Sequence, residues 1–286
     1  MGRIATSLEA QIELLVKRGM VVEDKDYAKH KLEDLGYYHL GFYWHAFEEA
    51  NLEHQFKANT KFEDVVGLYE FEFNLKQLLL KYLRRIEINL RTKIIYHISL
   101  AHSQNPAWFV DRTVVTSKFI KGFDQKVYTD RFKQDNLMIQ KHHAKHQDQY
   151  APAWKALEYM SLGQIVKLYC ALKEIKDKSA ICECYDIHNP QVFTTYLWAI
   201  CETRNRCAHS NVLYDMNLRE SISNGPAGKM NSQSKNKISG VLQVIEYMVG
   251  QIEETLQQEF RDEISKLSNC YTMMEGIYPI VKSVVG

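Results

Sequence analysis

The chain has 286 residues, of which 45% are hydrophobic, so it is long and apolar enough to bury a sizeable core. Its 36 Lys and Arg residues nearly balance 35 Asp and Glu residues, which argues against a protein coated with nucleic acid along its length. A local basic site stays compatible with that balance, because binding depends on where the charges lie.

The beginning of the chain shows no targeting signal. Residues 1–17 lack an apolar core region followed by a small-residue cleavage site. No stretch approaches the roughly 18 apolar residues that a membrane span needs. We therefore expect a cytoplasmic protein with no membrane partner, whose 6 cysteines are reduced and serve as small core residues.

Two short helices are predicted near the N-terminus. Thr6 as N-cap and Glu9 three residues later fit a capping box, and Gly19 ends this first helix. A second helix is expected at about 26–35, before a glycine. We interpret the aromatic run at 37–44 as packing surface rather than a ligand cage.

The longest periodic segment is predicted to be one helix at 62–98. Its apolar stripe consists of Leu75, Leu79, Tyr82, Ile86, Leu90 and Ile94. Arg91 lies off this stripe, and Glu87 four residues earlier can pair with it on the helix surface. Asn105-Pro106 ends the pattern.

The centre of the chain predicts shorter helices. A charged, His-containing region at 118–149 precedes helices at 153–162 and 164–173, which Gly163 separates. A further helix runs from Val192 towards Leu213.

The last part of the chain contains one polar stretch and one long helix. We interpret 216–240 as a mobile loop between core helices. The last long helix is expected at 241–267, and no segment alternates convincingly as a strand does. The whole pattern predicts an all-α fold.

The informative residues lie at the end of the helix that starts at Val192. Its predicted buried stripe is Phe193, Leu197, Ile200, position 204 and Ala208. Position 204 is an arginine, and a guanidinium on a core-facing position is costly unless it is paired and hydrogen-bonded. Asn205 and His209 are four residues apart and share a face beside Arg204. Such departures from local patterning often mark function.

These residue types suit cleavage of RNA. Arg204 can grip a phosphate and stabilise the charge that builds on its oxygens. His209, with a reference pKa of about 6.5, can take or give a proton at neutral pH. Asn205 would orient the imidazole or a phosphate oxygen. A purely structural role, with the arginine and the histidine each satisfied by a carboxylate or a carbonyl, explains the same pattern.

Metal chemistry is not expected. His142, His143 and His146 share a helix face, but no carboxylate or cysteine stands at suitable local spacing to complete a site. Cys182-Glu183-Cys184 is too short for a zinc knuckle, and His97, six residues after Arg91, is interpreted as structural. We therefore predict no metal and no cofactor.

Beyond these patterns, the chain resembles the Abi-like abortive-infection family (AbiD/AbiF type) within the HEPN ribonuclease superfamily. The segment from Arg204 to His209 looks like the R-x4-6-H signature of HEPN ribonucleases. Matching stretches elsewhere lie at 11–19, 32–40, 62–66, 69–72, 85–93 and 152–163. The resemblance covers roughly residues 8 to 260, in order.

The resemblance implies an α-helical HEPN-like bundle and metal-independent endoribonuclease activity in phage defence, where the enzyme acts as a growth-arresting toxin. It also implies a homodimer whose two motifs form a shared cleft, a role for which small Cys207 and Ala208 would allow close helix approach. The substrate would be RNA, and an antitoxin protein or a non-coding RNA is a further partner that it allows. We divide the chain into an N-terminal helical extension at 1–61 and a HEPN-like domain at 62–286.

The resemblance also points to supporting residues. Glu158, in a matching segment, is the first candidate for the carboxylate that pairs with Arg204, and Glu87 is the second. Arg91 is a further supporting cation. The family often has Arg-Leu shortly after the motif histidine, whereas this chain has Val212-Leu213, which leaves substrate contacts there undefined.

Two other functions stay open. The chain could be a non-catalytic RNA-binding or regulatory module of a defence system, or a structural adaptor held by a partner protein. Intact Arg204, Asn205 and His209 favour the enzyme, because an adaptor has little use for a charged group on a core-facing position.

Overall fold

The computed structural model describes residues 4–52, 54–209 and 211–285, and over these ranges it shows helices and isolated bridges but no β-strand. The all-α prediction is confirmed. In chain order, the helices are α1 (Leu8–Lys17), α2 (Lys25–Leu35), α3 (Tyr37–Trp44), α4 (Phe62–Ala101), α5 (Ser117–Lys126), α6 (Asp130–Asp135), α7 (Leu137–His143), α8 (Ala153–Ala156), α9 (Leu162–Ala171), α10 (Ile175–Cys182), α11 (Pro190–Ala208), α12 (Ile238–Gly250), α13 (Glu254–Asn269) and α14 (Tyr278–Val285). None of the described helices is both long and apolar enough to cross a membrane.

The helices group into two compact units. The first contains the residues up to Leu79, Arg206–Met216 and the residues from Arg261 onward. The second contains Leu80–Asn205 and Asn217–Phe260. The first unit thus draws on both the predicted N-terminal extension and the predicted main domain.

In the first unit, the N-terminal helices begin and end close to their predicted bounds. The N-cap of α1 is Ser7, whose hydroxyl accepts a hydrogen bond from the Ala10 amide at 3.2 Å, so the prediction of Thr6 as cap is wrong by one residue. Thr6 instead accepts a long hydrogen bond from Gln11. Gly19 and Gly36, which follow α1 and α2, have φ values of +95° and +84° that favour glycine.

Aromatic side chains hold the first unit together. The rings of Phe71 and Tyr271 meet edge to face at 5.4 Å, and those of Tyr43 and Tyr69 do the same at 5.4 Å. A Cβ at Gly67 would collide with Met274, so this glycine lets α4 and the segment before α14 approach closely.

The second unit is built on the latter part of α4. The predicted stripe residues Tyr82, Ile86, Leu90 and Ile94 are fully buried, which confirms their core position. Tyr82 packs edge to face against Phe260 of α13 at 4.9 Å, and Phe193 of α11 contacts Tyr169 at 5.2 Å. Helices α4, α9, α11 and α13 therefore share this core.

The break before α9 comes earlier than predicted. Ser161 and Gln164 form a capping box, so α9 starts at Leu162 and Gly163 lies inside its first turn. A Cβ at Gly163 would lie 3.5 Å from the Cys201 Sγ atom. Gly163 therefore lies within α9, at an ordinary contact distance from Cys201 of α11, instead of separating two helices.

The C-terminal part also differs from its prediction. The expected helix at 241–267 is two helices, because the chain turns at 251–253 between α12 and α13. The stretch 216–237 is irregular apart from a short 3-10 turn at Ser234–Asn236, and α12 begins at Ile238, three residues earlier than predicted. The irregular stretch buries Ile222, whose amide donates to the Lys235 carbonyl at 3.0 Å.

Candidate functional site

The end of α11 buries a different row of side chains from the one that was predicted. Ala199, Thr203 and Cys207, four residues apart, occupy the buried face with exposures of 2%, 0% and 7%. The Arg204 side chain is 32% exposed, and Ala208 is exposed. The small side chains of Ala199, Thr203 and Cys207 thus occupy the buried face of the helix. Arg204 lies at the edge of this face, where its long side chain can reach water.

Arg204 pairs with one buried carboxylate. Its Nε atom lies 3.8 Å from Oε2 of Glu87, which was the second candidate partner. Its Nη1 atom donates to Oδ1 of Asn205 at 3.4 Å. Glu158, the first candidate, is 55% exposed and lies near Arg91 instead, so that expectation is wrong.

We use the name Glu87 cluster for Glu87, Arg84, Arg91 and Arg204. The Glu87 Oε1 atom accepts from Arg91 at 2.9 Å and from Arg84 at 3.3 Å. The Glu87 side chain is only 4% exposed, so its charge depends on these cations to stay buried. The Glu87–Arg91 pair exists as predicted, but it is buried rather than on the helix surface.

Arg91 is the most buried cation of the cluster. Its side chain is 7% exposed, and its Nη2 atom also donates to the Met160 carbonyl at 2.8 Å. Its Nη1 atom lies 4.0 Å from Glu158. Arg91 therefore ties α4 to the segment before α9.

The Glu87 cluster carries an excess of positive charge. Three guanidinium groups surround one buried carboxylate, and Glu158 approaches only from the exposed side. Arg84 and Arg204 keep 61% and 32% of their side chains exposed. Because guanidinium groups bind phosphate oxygens with strong hydrogen bonds, the cluster can present a cation to a bound phosphate.

Asn205 and Cys201 lie beside Arg204 on α11. Asn205 is exposed, and its Nδ2 atom is 4.0 Å from the Cys201 Sγ atom. Burial raises the pKa of the Cys201 thiol, although the charge of Arg204 opposes the shift. Cys201 is thus a neutral packing residue, and Asn205 stays open to solvent.

His209 belongs to the first unit and follows the last residue of α11. It is exposed, and its amide donates to the Arg206 carbonyl at 3.4 Å. The Arg206 side chain in turn donates to the Val212 carbonyl at 3.3 Å. These contacts fix the backbone of the turn and leave the His209 side chain accessible.

Glu72 is a buried carboxylate to which the sequence analysis assigned no role. Its Oε2 atom accepts from the amides of Leu213 and Tyr214 at 2.6 and 2.9 Å. Its Oε1 atom accepts from the Tyr43 hydroxyl at 3.0 Å and pairs with Lys76 at 2.8 Å. Glu72 therefore anchors the segment that follows His209. In the sequence, Glu72 lies beside the apolar stripe of the predicted helix, and this position could have indicated a buried carboxylate.

The histidine-rich region is mostly exposed, and His142 is its buried histidine. His142 is 4% exposed, and its ring stacks on His146 at 4.7 Å. Burial lowers the pKa of His142, and the nearby charges of Lys155 and His146 act in the same direction. Among residues 4–52, 54–209 and 211–285, no three His, Cys, Asp or Glu side chains lie close enough together to hold a metal ion.

A surface cavity of about 600 Å³ lies within the second unit, between α5, α9 and α11. Its wall includes Met160, the residue whose carbonyl accepts from Arg91, so it adjoins the Glu87 cluster. Its lining contains three lysines and three large aromatic residues, namely Lys118, Phe119, Phe123, Lys126, Lys167 and Trp198.

Comparison with known proteins identifies the family. A family model described as Abi-like protein matches residues 30–215, well over half of the chain. The matched region includes Glu72, the Glu87 cluster and the segment from Arg204 to His209. Searches of curated proteins and of solved structures give no match. The family match confirms the resemblance to the Abi-like family, and the chain belongs to the Abi-like protein family.

Proposed function

We propose that the chain is a metal-independent endoribonuclease that acts in abortive infection as a growth-arresting toxin. Membership of the Abi-like family supports a role in abortive infection. The observation that carries the enzymatic part is the Glu87 cluster, which holds Arg204 in place from its buried side and leaves the guanidinium partly exposed.

In this proposal, Arg204 binds the phosphate that is cut. The Glu87 carboxylate at 3.8 Å restrains Arg204 without neutralising the whole cluster, because Arg84 and Arg91 share the same carboxylate. A preorganised cation stabilises the charge that develops on the phosphate oxygens during attack. Asn205, whose amide is exposed beside Arg204, orients a phosphate oxygen or the substrate.

His209 moves the protons. It accepts the proton of the ribose 2′-OH as the 2′ oxygen attacks the adjacent phosphorus, and the bond to the 5′ oxygen of the next nucleotide breaks. The products are a 2′,3′-cyclic phosphate and a 5′-hydroxyl, which takes up a proton. An accessible imidazole suits this role because histidine side chains can take up and release protons near neutral pH.

The HEPN-type assembly is part of the proposal. The R-x4-6-H spacing from Arg204 to His209 supports it, and so does the all-α fold. We propose a homodimer in which the two motifs face each other.

A second candidate is a non-catalytic RNA-binding module of a defence system. The lysine-rich cavity beside the Glu87 cluster favours RNA binding and is compatible with either function. Only cleavage distinguishes the two candidates.

The test is incubation of the purified full chain with labelled single-stranded RNA and with DNA of the same sequence. We expect cleavage of RNA alone, with 2′,3′-cyclic phosphate ends in end-group analysis. Cleavage of DNA at a similar rate would contradict attack by the 2′-OH, and binding of RNA without cleavage would favour the second candidate.

A further inference from the structure

The cavity of the second unit has the chemistry of a nucleotide site. Three lysines, Lys118, Lys126 and Lys167, line it, and its lining contains no Asp or Glu. No ion pair is found for these lysines within the described part of the chain. Three uncompensated cations around one cavity are unusual in a chain whose formal net charge is +1, and they favour an anionic ligand.

The aromatic residues narrow the class of anion. Phe119 and Trp198 are partly exposed at the wall, and Phe123, at 2% exposure, is buried beneath. Aromatic rings and lysines that line the same cavity suit ligands that carry both a planar ring and a phosphate. The volume of about 600 Å³ lies within the range of about 300–1,000 Å³ usual for small-ligand sites.

The position of the cavity indicates which kind of ligand supplies the planar ring and the phosphate. Met160 lines the cavity and accepts a hydrogen bond from Arg91 through its carbonyl, and Gln164 of the α9 capping box lines it too. A strand whose phosphate lies at Arg204 could therefore continue along α9 into the cavity. A free mononucleotide carries the same ring and phosphate, but its binding would not explain why the cavity lies next to the Glu87 cluster.

We propose that this cavity is a subsite for single-stranded RNA, which stacks a base next to the cleaved phosphate on Phe119 and Trp198 and holds flanking phosphates with Lys118, Lys126 and Lys167. The inference rests on the proposed function for the identity of the strand. It adds residues of α5 and α9 that the motif does not include. The subsite would give the nuclease affinity for unpaired RNA, because bases must be unstacked to enter it.

Helix α5 offers a matched control. Its residues Lys118 and Lys126 are eight apart and line the cavity, whereas Lys121 is also exposed and does not line it. Removal of Lys121 therefore changes the net charge without changing the cavity.

The experiment measures binding apart from cleavage. Full-length His209→Ala protein is titrated into a 5′-fluorescein-labelled ten-nucleotide uridine RNA, and anisotropy is followed over a range of salt concentrations. In this background we compare Lys118→Ala/Lys126→Ala, Phe119→Ala, Phe119→Leu and Lys121→Ala. Circular dichroism checks that each variant is folded, and Phe119→Leu keeps apolar packing if Phe119→Ala does not fold.

The affinity falls as salt rises, and each phosphate contact contributes about 0.7 to the steepness of log affinity against log salt for single strands. We therefore expect the double lysine variant to show a salt dependence that is less steep by about 1.4. Loss of the Phe119 ring should weaken binding about 5- to 150-fold. Lys121→Ala should reduce the steepness of the salt dependence by less than half as much as the double variant does. Equal slopes for Lys121→Ala and the double variant would overturn the subsite.

A parallel titration with uridine monophosphate separates the two sources of a nucleotide. If binding of the monophosphate depends on Lys118 and Lys126 but binding of RNA does not, the RNA subsite would also be overturned. Lysine-dependent RNA binding by a chain whose wild type cuts no RNA would support the subsite and contradict the proposed function. If the wild type cuts RNA but RNA binding does not depend on the lysines, the result would support the proposed function and contradict the subsite.

Discussion

At the scale of single residues, Glu87 stabilises three arginines with one side chain. Replacing Glu87 by Gln removes the buried countercharge of Arg91 and leaves only the exposed Glu158 at 4.0 Å, and breaking a buried pair costs about 3–5 kcal/mol. We expect a loss near the lower end, about 3 kcal/mol, because the amide oxygen still accepts hydrogen bonds. Urea unfolding followed by tryptophan fluorescence measures it.

Glu158→Gln is the matched control for this prediction. The same chemical change falls on a carboxylate that is 55% exposed and lies 4.0 Å from Arg91, so we expect an effect within about 0.5 kcal/mol. Similar losses in the two variants would show that Glu87 does not hold the cluster together.

Arg204 should matter for cleavage more than for folding. Its side chain is 32% exposed, and Glu87 keeps Arg84 and Arg91 when Arg204 is removed. We expect Arg204→Ala to lose less than about 1 kcal/mol of stability. RNA cleavage should fall by about 100-fold or more, as when a preorganised group that stabilises transition-state charge is lost.

Arg204→Lys is the informative companion variant, because it keeps the charge and loses the planar fork. It should retain more activity than Arg204→Ala. Wild-type cleavage by Arg204→Ala, or unfolding as severe as that of Glu87→Gln, would contradict this assignment.

At the scale of elements, Glu72 links α4 to the segment after His209. Glu72→Gln replaces an ionic acceptor of the Leu213 and Tyr214 amides by a neutral one. Hydrogen bonds to charged groups contribute about 1.5–3 kcal/mol, so we expect hydrogen exchange at these two amides to accelerate about tenfold or more. NMR or mass spectrometry can follow the exchange.

Glu70→Gln provides the control on the same helix. Glu70 is 47% exposed and pairs with Lys31, so its loss should leave exchange at residues 213 and 214 unchanged. Equal protection in Glu72→Gln and wild type would show that Glu72 does not anchor the segment.

Helices with strong local signals were predictable from the sequence. The bounds of α1, α2 and α4 follow from glycine stops and from one apolar stripe, and their predicted positions agree with the structure to within a few residues. The cap of α1 was assigned one residue early because Thr6 and Ser7 are both good caps, and only the geometry of the turn selects Ser7.

The errors come from one missed local signal and from tertiary packing. Gly163 was predicted to separate two helices, but the Ser161–Gln164 capping box starts α9 at Leu162 and places the glycine in its first turn. The partner of Arg204 also depends on a contact between distant segments, which no local spacing reveals. Arg91 was placed on the surface because it lies off the apolar stripe, whereas the Met160 carbonyl from the segment before α9 covers it. The short α14 has too few turns for a periodic signal.

At the scale of the whole molecule, the proposed homodimer is the assembly prediction. The family resemblance and two small residues, Cys207 and Ala208, motivated it, but Cys207 is buried within the first unit, where burial raises its thiol pKa to about 12. Ala208 is exposed and remains as the small residue at the end of α11. We expect light scattering at micromolar concentration to give twice the monomer mass, and Ala208→Arg to shift it towards the monomer.

A monomer that cuts RNA at the full rate would refute the dimer without touching the cleavage mechanism. A dimer that Ala208→Arg leaves intact would place the interface elsewhere on the chain. The two results together separate assembly from chemistry.

The central claim is that His209 moves protons in a cleavage reaction that needs no divalent metal. The most direct measurement is the rate of single-stranded RNA cleavage, with and without EDTA, by wild type, His209→Ala and His188→Ala. His188 is the matched control, because its side chain is 80% exposed and lies in the loop before α11. We predict that EDTA and His188→Ala leave the rate unchanged, whereas His209→Ala lowers it by about 10²–10⁴-fold with an unaltered circular dichroism spectrum. Loss of cleavage in EDTA, or equal rates for His209→Ala and wild type, would contradict the account.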